Sequence, residues 1–321
     1  MTVKASKLIA KMFSNEQSTP DILIMGKQGD NGAHGLNGPD GPRGANGTNA
    51  RCNWFWGCKQ KSTPGENGSP GGKSQKGSNG INGDNALPAI IFVGALKGKV
   101  VVYGCGGGGG DGGDGGRGGR GGDGGKGGDG DKDGAYSSPG SPGGNGGNGG
   151  NGGNGNTVTI TYAEYEPESE FVPITEPSRP GRRGGAGRLG IGGKGGPGGT
   201  RGGARGLDGM PGVSGKDGQV GTAGKPSTFN INQGEVPPVT GKNISVAAGT
   251  IYRVTDSDRT FNNVIIKPGG MLSIQTAAEV RINKLIKTIS ISSRSKAKTN
   301  SRSSKSKTKS TSGKAKGKRK T

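Results

Sequence analysis

From Gly106 to Gly155 the chain repeats Gly-Gly-X almost without interruption, pausing at Asp131 to Pro142 and resuming as Gly-Gly-Asn. Neither an α-helix nor an ordinary strand suits such a run, because glycine carries the largest backbone entropy cost and offers no side chain to pack. The left-handed polyproline II conformation remains open to it: three residues per turn, no internal hydrogen bonds, and N–H and C=O groups that need partners on neighbouring strands. Every third residue then falls on one edge, and an edge of glycines lets backbones approach closely. The X residues, Asp111, Asp114, Arg117, Arg120, Asp123, Lys126 and Asp129, then Asn145, Asn148, Asn151 and Asn154, are expected as solvent-facing stripes. A disordered low-complexity linker is the alternative that composition favours, and spacing elsewhere argues against it.

Glycine recurs at period three from Gly26 to Gly47, less regularly from Gly65 to Gly83, then from Gly184 to Gly202 and, after a one-residue slip at Arg205, from Gly206 to Gly224. This gives six arms of about 20 to 25 residues, roughly 65 to 75 Å long at ~3.1 Å per residue. Between them, polar or aromatic loops alternate with β-rich runs: Ala89 to Val93 and Lys99 to Tyr103 around a turn at Lys97 and Gly98, then Thr157 to Tyr162. Asp21 to Met25 reads as a strand, and short β-branched runs between Ile244 and Ile291 read as a small all-β module, sandwich or solenoid. If successive arms run antiparallel, the strands gather at one end and the loops at the other. The expected fold class is therefore a glycine-rich bundle of about six polyglycine II helices with short β-strand connectors, a C-terminal all-β module and a disordered basic tail. Its domains are an N-terminal docking segment over 1–25, the bundle over 26–227 with connectors at 87–104 and 157–174, the β module over 228–291 and the tail over 292–321. Ala5, Leu8, Ile9, Met12 and Phe13 place a short helical face in the docking segment.

With 75 glycines in 321 residues and 26% hydrophobic residues, the chain lacks the apolar content for a core proportionate to its length, which argues against an ordinary enzyme fold. Proline at 18 falls short of a collagen triple helix. No run is long enough to span a bilayer, and Leu8 to Phe13, broken by Lys11, does not read as a secretory signal. Three cysteines make no disulfide framework. The net charge of +21 is uneven: residues 292–321 hold 12 of the 44 Lys and Arg and none of the 23 acids. These cations are Arg294, Lys296, Lys298, Arg302, Lys305, Lys307, Lys309, Lys314, Lys316, Lys318, Arg319 and Lys320, set among Ser and Thr. Such a segment binds polyanions by counterion release, without sequence readout.

Cys52 to Cys58 packs Trp54, Phe55 and Trp56 between two cysteines in a chain only 4% aromatic. As a disulfide the pair closes a loop of about seven residues, worth about 2 kcal/mol by loop entropy. The rings then either stand outward for recognition of sugar, protein or lipid, or cap the end of a bundle that has no apolar core. Other candidates fail. Two cysteines without further Cys or His make a poor zinc site, and Cys105 reads as a small buried residue or an intermolecular link. His34, the lone histidine, reads as an exposed spacer. Gly72-Lys73-Ser74 lacks the first glycine of a phosphate loop, since Asn67 stands there. No catalytic constellation, metal site or cofactor is expected.

The arms at Gly26 to Gly47, Gly106 to Gly155 and Gly184 to Gly224 resemble polyglycine II bundle proteins, and in places the collagen-like repeats of viruses and bacteria. Glycine-rich adhesins at the tips of phage tail fibres are similar in plan, stacking glycine helices whose distal loops touch the host receptor. The resemblance implies a binding surface at Cys52 to Cys58, Asp131 to Pro139 and Thr200 to Arg205, bringing in Tyr136, Arg201 and Arg205. The basic tail departs from that plan. The expected function is a non-enzymatic surface fibre or adhesin of a virus particle or cell surface, reached without a classical signal peptide. Its partners would be a host receptor or surface glycan, other structural proteins of the particle and, through the tail, nucleic acid or another polyanion. A nucleic-acid-condensing protein with a glycine spacer and a collagen-like trimeric stalk are the alternatives.

Overall fold

Alternation of apolar and polar residues marks the strands, and it is the strands that carry the core. The computed structural model describes residues 19–53, 55–129 and 142–289, within a unit that ends at Ile289. Among these residues the regular structure is thirteen strands and no helix: β1 (Ile22–Met25), β2 (Arg51–Asn53), β3 (Gly57–Gln60), β4 (Ala89–Lys97), β5 (Lys99–Cys105), β6 (Thr157–Tyr165), β7 (Glu170–Thr175), β8 (Thr228–Gln233), β9 (Lys242–Val246), β10 (Ile251–Val254), β11 (Thr260–Ile266), β12 (Met271–Ile274) and β13 (Val280–Lys287). β2 and β3 form an antiparallel hairpin, while the others build two sheets, β10-β12-β1-β5-β7 and β8-β6-β4-β13-β11-β9. Every pairing within these two sheets is parallel.

This overturns the expected fold class. The molecule is not a polyglycine II helix bundle with minor β connectors; its regular architecture is a pair of parallel sheets of five and six strands. The physical reason lies in the turns. β4 buries Ala89, Ile91, Val93 and Leu96 on one face and β5 buries Val100 and Val102. These two faces are satisfied by turning the chain at Gly98 into the opposite sheet rather than pairing β4 with β5. The same arch joins β6 to β7, β9 to β10 and β11 to β12. Each arch carries one residue in the left-handed region: Gly98 (φ 88°), Gly249 (φ 71°), Gly269 (φ 76°) and, alone among non-glycines, Glu168 (φ 62°).

Between the sheets lie Ile22, Ile24, Ile91, Leu96, Ile160, Phe261, Ile266, Leu272, Ile282 and Leu285, each almost wholly excluded from water. Each such aliphatic side chain contributes about 1.5–3 kcal/mol on burial. The C-terminal strands are not a separate module, because β12 pairs with β1 and β13 with β4. β13 and β1 stand in one rung without a covalent arch. There, Lys287 Nζ donates to the buried Asp21 carboxylate, whose other oxygen accepts the Val101 N–H at 2.9 Å.

Between strands the glycine segments run as arms with no helix or strand of their own: arm 1 (26–50), arm 2 (62–88), arm 3 (106–129), arm 4 (142–156), arm 5 (176–199) and arm 6 (203–227). Backbone hydrogen bonds tie them together at every third residue. Gly29, Gly32 and Gly35 of arm 1 donate to Gly108, Asp111 and Asp114 of arm 3 at 2.9, 2.7 and 2.7 Å. Arm 3 donates to arms 2 and 5, as from Gly113 to Ser78 and from Gly112 to Arg182, both at 2.8 Å. The sheets and the arms share one register. β1 pairs Ile22 with Val102, and the same separation of 80 residues sets Asn31 against Asp111. Thr157 meets Thr228 across β6 and β8 at a separation of 71, and so does Asn145 meet Lys216 across arms 4 and 6. The paired strands thus fix which triplet faces which.

The X residues face solvent, but they are not idle stripes. Asp111, Asp114 and Asp123 accept the backbone N–H of Arg182, Gly185 and Lys194 at 2.8, 2.6 and 2.7 Å. Asn145, Asn148, Asn151 and Asn154 accept those of Lys216, Gln219, Thr222 and Lys225 at 2.8 to 2.9 Å. Their side chains complete the hydrogen bonding of a neighbouring arm. Even His34 does this, its Nδ1 accepting the Asp114 N–H at 3.0 Å.

Candidate functional site

Arms 1, 3 and 5 end side by side, remote in sequence from the strands that precede them. Ala50 N–H donates to the Asp129 carbonyl at 2.9 Å, Asn49 Oδ1 accepts the Asp129 N–H at 2.8 Å, and Gly127 N–H donates to the Pro197 carbonyl at 2.9 Å. Lys126 Nζ lies 2.7 Å from the Asp129 carboxylate. That hydrogen bond, with the lysine charge and contacts from Thr200, holds the Asp129 carboxyl below the usual carboxylate range. The pair is therefore neutralised within arm 3, and the backbone and Asn49 contacts are what join the arm ends.

From this end arm 1 passes into arm 2 through the β2–β3 hairpin. A disulfide joins Cys52 to Cys58, directly opposed in the ladder. Asn53 Oδ1 accepts both the Phe55 N–H at 2.7 Å and the Trp56 N–H at 2.9 Å, the side-chain turn that asparagine favours. Gly57 closes the turn at φ 69°. At the root, Thr63 Oγ1 accepts the Thr48 N–H at 2.8 Å. Phe55 and Trp56 are held 84% and 81% exposed. The capping alternative is thereby removed for these two rings, since a cap would be covered by the arm ends.

The hairpin is also cationic. Arg51, Lys59 and Lys61 are exposed, no Asp or Glu occurs from 41 to 65, and none of the three forms an ion pair among the described residues. At the neighbouring turn, where Gly202 takes φ 95°, Arg201 is exposed. Arg205 is engaged, its guanidinium 2.7 Å from Asp208 and 3.4 Å from the Gly195 carbonyl. Trp54, Tyr136 and the tail cations Arg294 to Lys320 lie outside the described residues, as does the docking segment's helical face. Reasoning from sequence overlooked Asn53, Arg51, Lys59 and Lys61. The signal was an Asn two residues ahead of Phe55, in a stretch free of acids.

Other residues singled out by the sequence lie apart from the hairpin. Burial pushes the Cys105 thiol up and Tyr103 up beside it, leaving both protonated and enclosed. Gly72-Lys73-Ser74 is part of arm 2, with Gly72 N–H donating to Pro39 at 2.7 Å and Ser74 Oγ to the Pro142 carbonyl at 3.0 Å. Among the described residues no three His, Cys, Asp or Glu gather as metal ligands, and no helix is long and apolar enough to cross a membrane. Comparison with known proteins finds no matching family model, no matching curated protein and no matching solved structure.

Proposed function

We propose that the protein is a non-enzymatic surface protein of a virus particle or cell, a fibre or adhesin whose β2–β3 hairpin meets a ligand and whose basic tail holds an anionic partner. The observation that carries this reading is the pair Phe55 and Trp56, exposed at 84% and 81% on a turn locked by a disulfide and by Asn53. Apolar rings held out in water have a cost that internal packing does not recover, and locking them lowers the entropy lost on binding. Host receptor, surface glycan and other structural proteins of the particle are the partners proposed. Twelve Lys and Arg without an acid over 292–321 suit nucleic acid or another polyanion. The test is retention of the full chain on a panel of cell types, beside a variant whose residues 52–58 are replaced by Gly-Ser-Gly. We expect lost retention with unchanged circular dichroism; equal retention would sink the reading.

The twelve tail cations favour a second reading, nucleic-acid condensation with the glycine region as spacer. It requires residues 292–321 to bind DNA nearly as well as the whole chain, with affinity collapsing in moderate salt.

A further inference from the structure

We infer that the hairpin recognises an acidic glycan, a saccharide bearing sulfate or carboxylate groups. The inference rests on the adhesin reading above. Three features of the hairpin converge on that chemistry. Phe55 and Trp56 offer exposed ring faces, which stack against the C–H faces of sugar rings. Arg51, Lys59 and Lys61 supply positive charge that no carboxylate of the described structure takes up, and Arg51 stands opposite Gln60, the residue between the two lysines in the chain. Around the rings the polar groups include the Gln60 amide and the amide nitrogen of Asn53, whose oxygen is taken by the turn, and no exposed aliphatic residue belongs to the hairpin.

Size decides against a folded protein partner. A stable protein interface takes about 800 Å² from each side with an apolar centre, whereas here a single hairpin of about ten residues presents two rings within a polar, cationic rim. A saccharide of a few units needs only such a patch. The preformed turn matters for the same reason, since a small ligand cannot meet the entropy of ordering a loose loop.

Both tryptophans of the chain, Trp54 and Trp56, lie between Cys52 and Cys58, so intrinsic tryptophan emission reports on the hairpin in the full chain and is blind to the tail. The experiment titrates the full chain with a size-defined sulfated tetrasaccharide, a carboxylated hyaluronan tetrasaccharide, an uncharged dextran oligosaccharide, a single-stranded oligonucleotide and phosphatidylserine vesicles. We expect saturable change in emission with at least one acidic saccharide and none with dextran. Lys59→Glu with Lys61→Glu should weaken that response by about tenfold or more, the loss of at least one charge-assisted contact, and Phe55→Ala should weaken it while leaving the near-ultraviolet dichroism of the rest intact. Silence toward both acidic saccharides, or an equal response to dextran, overturns the inference. So does a response confined to a single-stranded oligonucleotide or to phosphatidylserine vesicles, which would reassign the hairpin to nucleic acid or membrane. If the hairpin replacement abolishes retention on cells while acidic saccharides leave the emission unchanged, this inference falls and the adhesin reading stands.

Discussion

In the sheets the side chains are buried and the backbone pairs at the edges of that burial; in the arms the backbone itself is the interior and the side chains stand outside. Ile91, Leu96, Phe261 and Leu272 are at most 1% exposed between the sheets. In arm 3 the buried atoms are the glycine N–H and C=O groups, bonded to arms on several sides. The first region draws on the hydrophobic effect, which tolerates some change of shape. The second depends on close approach and on complete hydrogen bonding, which tolerates very little. The two regions share one register, held in the sheets by apolar strands and in the arms by backbone bonds and the Asn and Asp side chains that repeat with every triplet.

The difference predicts unequal responses to the smallest substitution. A methyl at Gly113 would stand 2.0 Å from the Ala33 carbonyl oxygen, while one at Gly108 would meet nothing nearer than 3.7 Å. Gly113→Ala should therefore cost about 3 kcal/mol or more, the upper end of overpacking, since its neighbours are backbone and cannot rotate away. Gly108→Ala should stay within about 0.5 kcal/mol. Thermal unfolding of the two variants checks this, and similar midpoints would mean that the arms yield as readily as a side-chain core.

The junction between the regions is the next place to press. Asp21 is 2% exposed and receives Lys287 across the rung that lacks a covalent arch. Lys287→Ala leaves that carboxylate without its counter-charge and should cost about 3 kcal/mol, whereas Asp21→Asn with Lys287→Met should recover much of the loss. Denaturant titration of the single and double variants measures the difference. A double variant no better than the single would place the closure in the backbone contacts of Asp21 instead.

How much of this the sequence discloses follows the same division. Period-three glycine marks the arms, and β-branched runs such as Ile251 to Val254 and Met271 to Ile274 coincide with β10 and β12. What these strands build was not legible. Alternation says that β4 and β5 each bury a face, but not that the turn at Gly98 sends them into different sheets. Nor does anything local announce that β13 lies beside β4 or that β1 completes its rung, because such pairing is decided by shape and burial across nearly the whole chain. At the hairpin the exposed rings were one of two readings open to the sequence. The choice depended on Asn53 and on where the arms end. The asparagines of the arms stand outward as expected, but their acceptor role was missed because it exists only once the neighbouring arm is in register.

That acceptor role sharpens the comparison further. Asn148 Oδ1 accepts the Gln219 N–H at 2.9 Å, so Asn148→Ala should cost at most about 1 kcal/mol, water replacing part of the bond. Asn148→Asp should match the parent at neutral pH. Asp123 in the same role has its carboxyl held below the usual range, first by the Lys194 N–H and then by Arg120. A depressed carboxylate contributes stability above its ordinary titration range and loses it as pH falls through the folded value. Asn148→Asp should therefore become destabilising only on acidification. Melting curves of this variant and the parent across pH make the comparison, and a penalty already present at neutral pH would show that the asparagine amide also donates a needed bond.

The smallest effect is expected in an arch of the sheets and carries the opposite sign. Glu168 holds φ 62° where the other arches use Gly98, Gly249 and Gly269. Its side chain is exposed and makes no hydrogen bond or ion pair among the described residues, so Glu168→Gly removes backbone strain without removing a contact. Relief of about 1 kcal/mol is partly offset by the greater freedom of glycine in the unfolded chain, leaving a net gain of about 0.5 kcal/mol. A rise in the unfolding midpoint is the expected result. A fall would mean that the arch between β6 and β7 is held by the residue's limited freedom, not strained by it, and that the sheets, like the arms, depend on conformational restriction as well as on apolar burial.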